Sequence, residues 1–235
     1  MFARVAPRDR SELAILLGAI ALVLLLLVVI TLASRVVAGE TERFDRQILV
    51  SLRDRADPAR PIGPAWLLSA ALDITALGSA TVLGLVVLSV AGFLALQGRW
   101  RMGLVVLAST SGAEVANELL KVSFNRPRPT VVPHLRDVAT MSFPSGHALI
   151  SSVVYLTLGA LLMRIAKSRL AKFYCMAVAM LITALVGMSR VFLGVHYPTD
   201  VLAGWLFGLS WALLIWLVER ALERRTSLKQ EAVKS

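Results

Sequence analysis

The sequence predicts an all-α, polytopic membrane protein: six transmembrane helices in one bundle, with an interfacial helical segment after the first span. Three observations carry that expectation. Of 235 residues, 57% are hydrophobic, and the mean hydropathy is +0.73, well beyond the composition of a soluble domain. The apolar runs are continuous rather than alternating, which argues against a membrane β-barrel. Several runs reach the length of about 20 residues that a helix needs to cross a bilayer.

The first span is expected over 13–33. Basic residues precede it and VVAGE follows, as in a secretory signal, but the apolar run is too long for a typical signal core. Next comes an outer amphipathic region, 40–72. Its charged part, TERFDRQILVSLRDRADPAR, carries Phe44, Ile48, Leu49 and Leu52 at helical spacing. That pattern reads either as a helix resting on the membrane surface or as a solvated loop. The apolar stretch 62–96 is too long for one crossing, and Asp73 and TALGS interrupt it. It divides into a short interfacial helix over 62–72 and a second span over 77–96. The remaining spans are expected at 102–120, 147–165, 173–188 and 198–218, followed by a polar helix end from Ala221. There is no internal repeat, and the whole chain, 1–235, reads as one membrane domain.

The formal net charge is +10, and its placement explains it. With both termini cytoplasmic, the inside segments hold 14 basic and five acidic residues, whereas the outer segment 35–60 holds six and five. This is the positive-inside pattern, and nucleic acid is not needed as a partner. The single cysteine, Cys175, lies in an apolar run and reads as a small core residue.

This topology gathers the polar chemistry on the non-cytoplasmic side, in residues 121–146 and 189–197. In FPSGHA, Ser145 is a favoured helix N-cap, Gly146 lets a ligand approach the backbone, and the free N–H groups of a helix start bind anions. In KVSFNRPRP, Lys121 and Arg128 offer cations matched to phosphate oxygens, on a backbone stiffened by prolines. Arg126 reads equally as a phosphate ligand or a lipid head-group contact. Glu118, three residues before Lys121, is placed to orient it. Glu114 and Asn117 read as interhelical polar contacts. In SRVFLGVHYPTD (189–200), Pro198 opens a helix, and Asp200 lies one turn beyond His196. A carboxylate on one imidazole nitrogen holds the tautomer and raises the basicity of the other, the arrangement of an activated nucleophile. Arg190 reaches the same point. Metal binding is the competing use of His134, His147 and His196. However, a cluster rich in cations and poor in carboxylates attracts an anion rather than a metal, and His134 reads as a surface residue.

Lys121-x6-Arg128-Pro129, Pro144-Ser145-Gly146-His147 and Ser189-Arg190-x5-His196-x3-Asp200 together resemble the three-part signature of the type 2 phosphatidic acid phosphatase family, with order and spacing intact. The resemblance implies roles for these residues. His196 attacks phosphorus and becomes a phosphohistidine, Asp200 supports it, and His147 is the general acid for the leaving oxygen. Lys121, Arg128, Ser145, Gly146 and Arg190 hold the phosphoryl oxygens, and neither metal nor other cofactor is required. The resemblance further implies a bacterial plasma-membrane enzyme with its site on the outer face. Its substrate would be a membrane lipid phosphate or diphosphate, with undecaprenyl diphosphate and phosphatidylglycerol phosphate ahead of phosphatidate and lipid A phosphates. Two other readings stay open at this point: a phosphotransferase passing the group to another lipid, and a non-catalytic head-group binding or transport protein. Oligomeric state is not legible.

Overall fold

The computed structural model describes residues 7–138 and 140–234, with side chains between 12 and 224. Eight α-helices account for the architecture among them: α1 (Pro7–Val37), α2 (Glu42–Ser51), α3 (Ala65–Ala76), α4 (Ala80–Leu96), α5 (Trp100–Phe124), α6 (Gly146–Ile165), α7 (Arg169–Phe192) and α8 (Pro198–Lys234). The β pairing among the described residues is a single bridge between Arg53 and Pro61.

α1, α6, α7 and α8 are each long and apolar enough to cross a membrane, and the bent pair α3–α4 makes a fifth candidate. α5 is 25 residues long, yet from its middle onward it carries Ser109, Thr110, Ser111, Glu114, Asn117 and Glu118, and the helix is not among those long and apolar enough to cross. The chain is thus a polytopic helical membrane protein with four to five such spans. Leu16, Leu17, Val23, Leu24 and Leu27 of α1 are all more than half exposed in the isolated chain, as expected of a helix whose neighbour is lipid.

Several helices run past their expected limits. α7 extends beyond 173–188 at both ends, so Arg190 sits in its last turn. α5 continues through Lys121, so that lysine is held by a helix, not a loop. α8 stays helical well past Ala221. The short helix expected over 62–72 is displaced to Ala65–Ala76, and α3 meets α4 at 46° across the break at Gly78. The charged segment 42–51 is helical, and it is docked rather than merely laid on a surface: Asp45 and Leu49 are fully buried.

α6 is the centre of the molecule, packing chiefly on α7 and α8, while α1 lies on α8, α4 on α5 and α3 on α7. One apolar core runs through Leu83, Val87, Val106, Ala113, Leu149, Val153 and Val154. The α6–α8 approach depends on Gly204 and Gly208. A Cβ at Gly204 would lie 2.7 Å from the Ser145 carbonyl oxygen, and one at Gly208 2.6 Å from that of Leu149. Small residues four apart let two helix backbones touch. Here that contact brings the start of α6 against the first turns of α8, where the two site histidines arise.

Candidate active site

The site forms where the loop 125–145, the start of α6, the end of α7 and the start of α8 converge. Gly194, with φ +74°, turns the chain out of α7. Arg53 fills the space beside it: a Cβ on Gly194 would collide with Arg53 Nη2. The buried guanidinium donates to the carbonyls of Phe192 (2.9 Å), Leu52 (3.2 Å) and Pro133 (3.3 Å). It thereby ties the segment after α2, the long loop and the His196 turn together. The sequence alone places Arg53 in a segment that reads either as a surface helix or as a solvated loop.

Of the residues singled out from sequence, Lys121, Arg128, Gly146, His147, Arg190 and His196 line one cavity of about 280 Å³. Lys121 accepts orientation from Glu118 through an ion pair of 2.9 Å. Asn117, buried beneath Gly146, donates to the same carboxylate oxygen at 3.3 Å. Arg190 is almost wholly buried, and its Nη1 donates to Thr75 Oγ1 at 3.0 Å. Arg128 is held by the Thr140 carbonyl and hydroxyl and by the Val195 carbonyl, at 2.6, 3.0 and 2.6 Å. Its remaining contact is with His196 Nε2, at 3.1 Å.

That last contact assigns the His196 tautomer. A guanidinium only donates, so Nε2 must carry a lone pair and the ring proton sits on Nδ1. Nδ1 faces Asp200 Oδ2 at 3.6 Å and Ser142 Oγ at 3.4 Å. The expected direct carboxylate–imidazole hydrogen bond is therefore replaced by a looser arrangement, in which Ser142 donates to Asp200 Oδ2 at 2.5 Å. The expected rise in basicity is also not what the surroundings produce. His196 is 2% exposed. Burial lowers its pKa to about 4, Asp200 opposes the fall, and Arg128 and Arg190 add to it. Desolvation outweighs the single carboxylate, so the imidazole is neutral at pH 7, with its Nε2 lone pair accepting from Arg128.

Ser145 departs from expectation. It occupies the N-cap position of α6 but makes no side-chain cap. Its N–H donates to the Asp200 carbonyl at 3.0 Å, and its buried hydroxyl has no partner. Nor is it among the residues lining the cavity. His147 Nε2 and Arg190 Nε are likewise buried without partners. Such groups are costly unless something bound there satisfies them. Together with the open N–H groups at the start of α6 they make a site for an anion bearing several oxygens.

Behind His196 lies a network that the sequence did not disclose. Arg126 is clamped between two fully buried carboxylates, Asp200 (2.5 Å) and Asp45 of α2 (2.8 Å), and its guanidinium lies 4.2 Å from the Tyr197 ring centroid. Burial opposes its charge, but Asp200 and Asp45 outweigh that and raise its pKa. Arg126 is therefore neither a head-group contact nor a lining residue of the cavity. One signal was available: Asp45 falls on the apolar face of its segment, one turn before Leu49, where an acidic residue needs a buried partner. His134 is exposed and pairs with the Pro129 carbonyl at 2.7 Å.

A polytopic helical bundle with two histidines and three cations around one cavity defines a membrane protein built to act on an anionic group. The signature of the PAP2 superfamily matches residues 100–224, and the chain belongs to that family. It is 33% identical over 171 residues to phosphatidylglycerophosphatase B of Bacillus subtilis, covering 71% of this chain and 80% of that one. It is 36% identical over 107 residues to the undecaprenyl-diphosphatase of Sulfolobus acidocaldarius, a match covering 46% of this chain and 45% of that relative. The crystal structure of the transmembrane PAP2-type phosphatidylglycerolphosphate phosphatase from Bacillus subtilis superposes with a TM-score of 0.75 at 29% identity, covering 85% of this chain and 96% of that one.

Proposed function

We propose that the protein is a metal-independent phosphatase of membrane lipid phosphates, working through a phosphohistidine on His196. The observation that carries this reading is the cavity that holds both imidazoles with Lys121, Arg128 and Arg190. The named activities of the relatives support it.

The phosphoryl group enters with its oxygens toward the three cations and the first N–H groups of α6, which stabilise the charge spread over them during transfer. Nε2 of His196 attacks phosphorus, and the bond from phosphorus to the leaving oxygen breaks. Asp200 and Ser142 face the Nδ1 proton and stabilise the positive charge that grows on the ring. The dianion supplies the counter-charge that lets His147 carry a proton, which it passes to the leaving oxygen. Water then attacks the phosphohistidine, returning its proton to His147, and inorganic phosphate leaves with His196 restored. The cations meet the charge that a metal ion would otherwise neutralise.

The hydrocarbon part of the substrate stays in the bilayer. Phosphatidylglycerol phosphate and undecaprenyl diphosphate are the leading substrates, followed by phosphatidate. α5 is the sixth crossing, its polar face turned to the cavity as intramembrane charges usually are. The charge bias supports an orientation with both termini in the cytoplasm and the site on the outer face of a bacterial plasma membrane.

Phosphate release from these lipids in detergent, with a chelator present throughout, tests the reading. Chelator-resistant release from wild type, and none from His196→Ala, is the expected result. Absence of release from every lipid, or release that needs added metal, overturns it.

A further inference from the structure

The cluster behind His196 contains a group that the reaction does not use directly. Asp45 sits on α2, more than 140 positions from the third motif, yet it is completely buried and every oxygen is engaged. Oδ1 accepts the Thr199 N–H at 3.0 Å, at the open N-terminus of α8. Oδ2 accepts the Thr199 hydroxyl at 2.6 Å, Arg126 Nη2 at 2.8 Å and the Thr41 hydroxyl at 3.3 Å. Arg126 Nη1 in turn reaches Thr199 Oγ1 at 3.0 Å and Asp200 Oδ1 at 2.5 Å. The run of contacts is therefore Asp45, Arg126, Asp200, then Ser142 and His196.

We infer that Asp45 is a positioning residue for His196, acting through Arg126 to set the placement and effective charge of Asp200. Two features argue for more than a structural link. First, a buried ion pair of one arginine and one carboxylate would be neutral, and Arg126 alone would cancel the charge with which Asp200 supports the imidazole. Adding Asp45 restores a net negative charge behind the nucleophile. Second, Asp45 caps the α8 N-terminus from another helix, and so places that turn, which carries Asp200, relative to α2. Because α2 is the amphipathic segment, with Phe44 and Val50 exposed on its outside, seating of α2 is also coupled to assembly of the nucleophile.

The inference rests on the reading of His196 as nucleophile, and its test separates the two. His196 is faced by Asp200 from α8, by Arg128 from the loop, by Arg190 from α7 and by His147 from α6, with Arg126 one step removed on the far oxygen of Asp200. Removing one negative charge from behind it favours the neutral ring; removing Arg126 favours the protonated one. Full-length protein in detergent is compared as wild type, Asp45→Asn, Asp45→Glu and Arg126→Gln. Two readouts are taken: lipid phosphate turnover against pH, and His196 titration by NMR of labelled histidine.

Asp45→Asn is expected to lower kcat at least tenfold with KM changed less than threefold. Its acid limb and His196 titration should move down by about one pH unit. Arg126→Gln should move both up, and Asp45→Glu, which keeps the charge, should hold the wild-type titration. An unmoved titration in Asp45→Asn, or shifts of the same sign in the Asp45→Asn and Arg126→Gln variants, overturns the inference. If Asp45→Asn does not fold, the Arg126→Gln and Asp45→Glu titrations decide it. If wild type releases no phosphate, the functional reading has failed, and the NMR arm still decides the coupling.

Discussion

At the scale of single residues, the two histidines differ in what surrounds them. His196 has Arg128 on one nitrogen and the Ser142–Asp200 pair beside the other, whereas His147 has a buried nitrogen with no partner. That division predicts unequal dependence on the leaving group. An alkoxide leaves only if protonated, while a phosphate leaves unaided. His147→Ala should therefore lower kcat for a lipid monoester by about 100-fold or more, and for a lipid diphosphate by about tenfold or less. Equal losses on both substrates would remove His147 from the role of acid. The pH profile follows from His196. Burial lowers its pKa to about 4, so the proposed nucleophile stays neutral as pH falls through the ordinary histidine range near 6.5. Once the substrate's own titration is accounted for, the acid limb of kcat/KM is expected near pH 4; a limb near 6.5 would show an exposed ring. The signature residues were legible at this scale, because each belongs to a chemical type at a set spacing. Arg53 and Ser142 were not, since nothing local marks a charged or hydroxyl residue whose partner is distant in the chain, and Asp45 was marked only by its place on the apolar face of its segment.

At the scale of elements, the cavity depends on how closely α6 and α8 approach. Gly204 and Gly208 leave no room for a side chain against the α6 backbone. Gly208→Ala is expected to cost about 1–3 kcal/mol through overpacking, read as a lower Tm in detergent. Its kcat should fall too, because the displaced helix carries His147 away from His196. A kcat and Tm both equal to wild type would mean that the interface yields without cost. Helix existence was legible from continuous apolar runs, and the break before Gly78 was announced by TALGS. Helix ends were less so. α5 and α7 continue through polar and basic residues because those side chains meet partners inside the site: Lys121 with Glu118, Arg190 with Thr75. Hydropathy alone stops a helix where such residues begin. The amphipathic pattern of 42–51 was visible, but the choice between surface and docked helix was made by Asp45 and Leu49 packing against the bundle.

At the scale of the whole molecule, two properties follow from the arrangement. The first is a pH-dependent stability. The unfolded chain takes up a proton at His196 near pH 6.5, while the folded chain resists until about pH 4. Between those values the unfolded state binds more protons, so stability falls as pH falls, by about 3 kcal/mol in total. The Tm of wild type in detergent should drop across that window more than the Tm of His196→Asn; identical slopes would remove His196 as the cause. The second is topology. In a Cys175→Ala background, a cysteine replacing Asp57 should react with an impermeant maleimide in intact cells, and one replacing Lys167 only after lysis. The opposite pattern would invert the orientation.

Composition and spacing, by themselves, determined that this is a helical membrane protein and picked out most of the motif residues that line its cavity. The reason is that membrane insertion and phosphate recognition depend on residue types counted along the chain. Only the tertiary structure decided what stands behind those residues: Arg126 between two buried carboxylates, Ser142 between Asp200 and the imidazole, and Arg53 beside the Gly194 turn. It also decided that burial rather than Asp200 governs the basicity of His196. Those outcomes depend on desolvation and on contacts across as many as 139 positions, and neither quantity exists until the helices have packed.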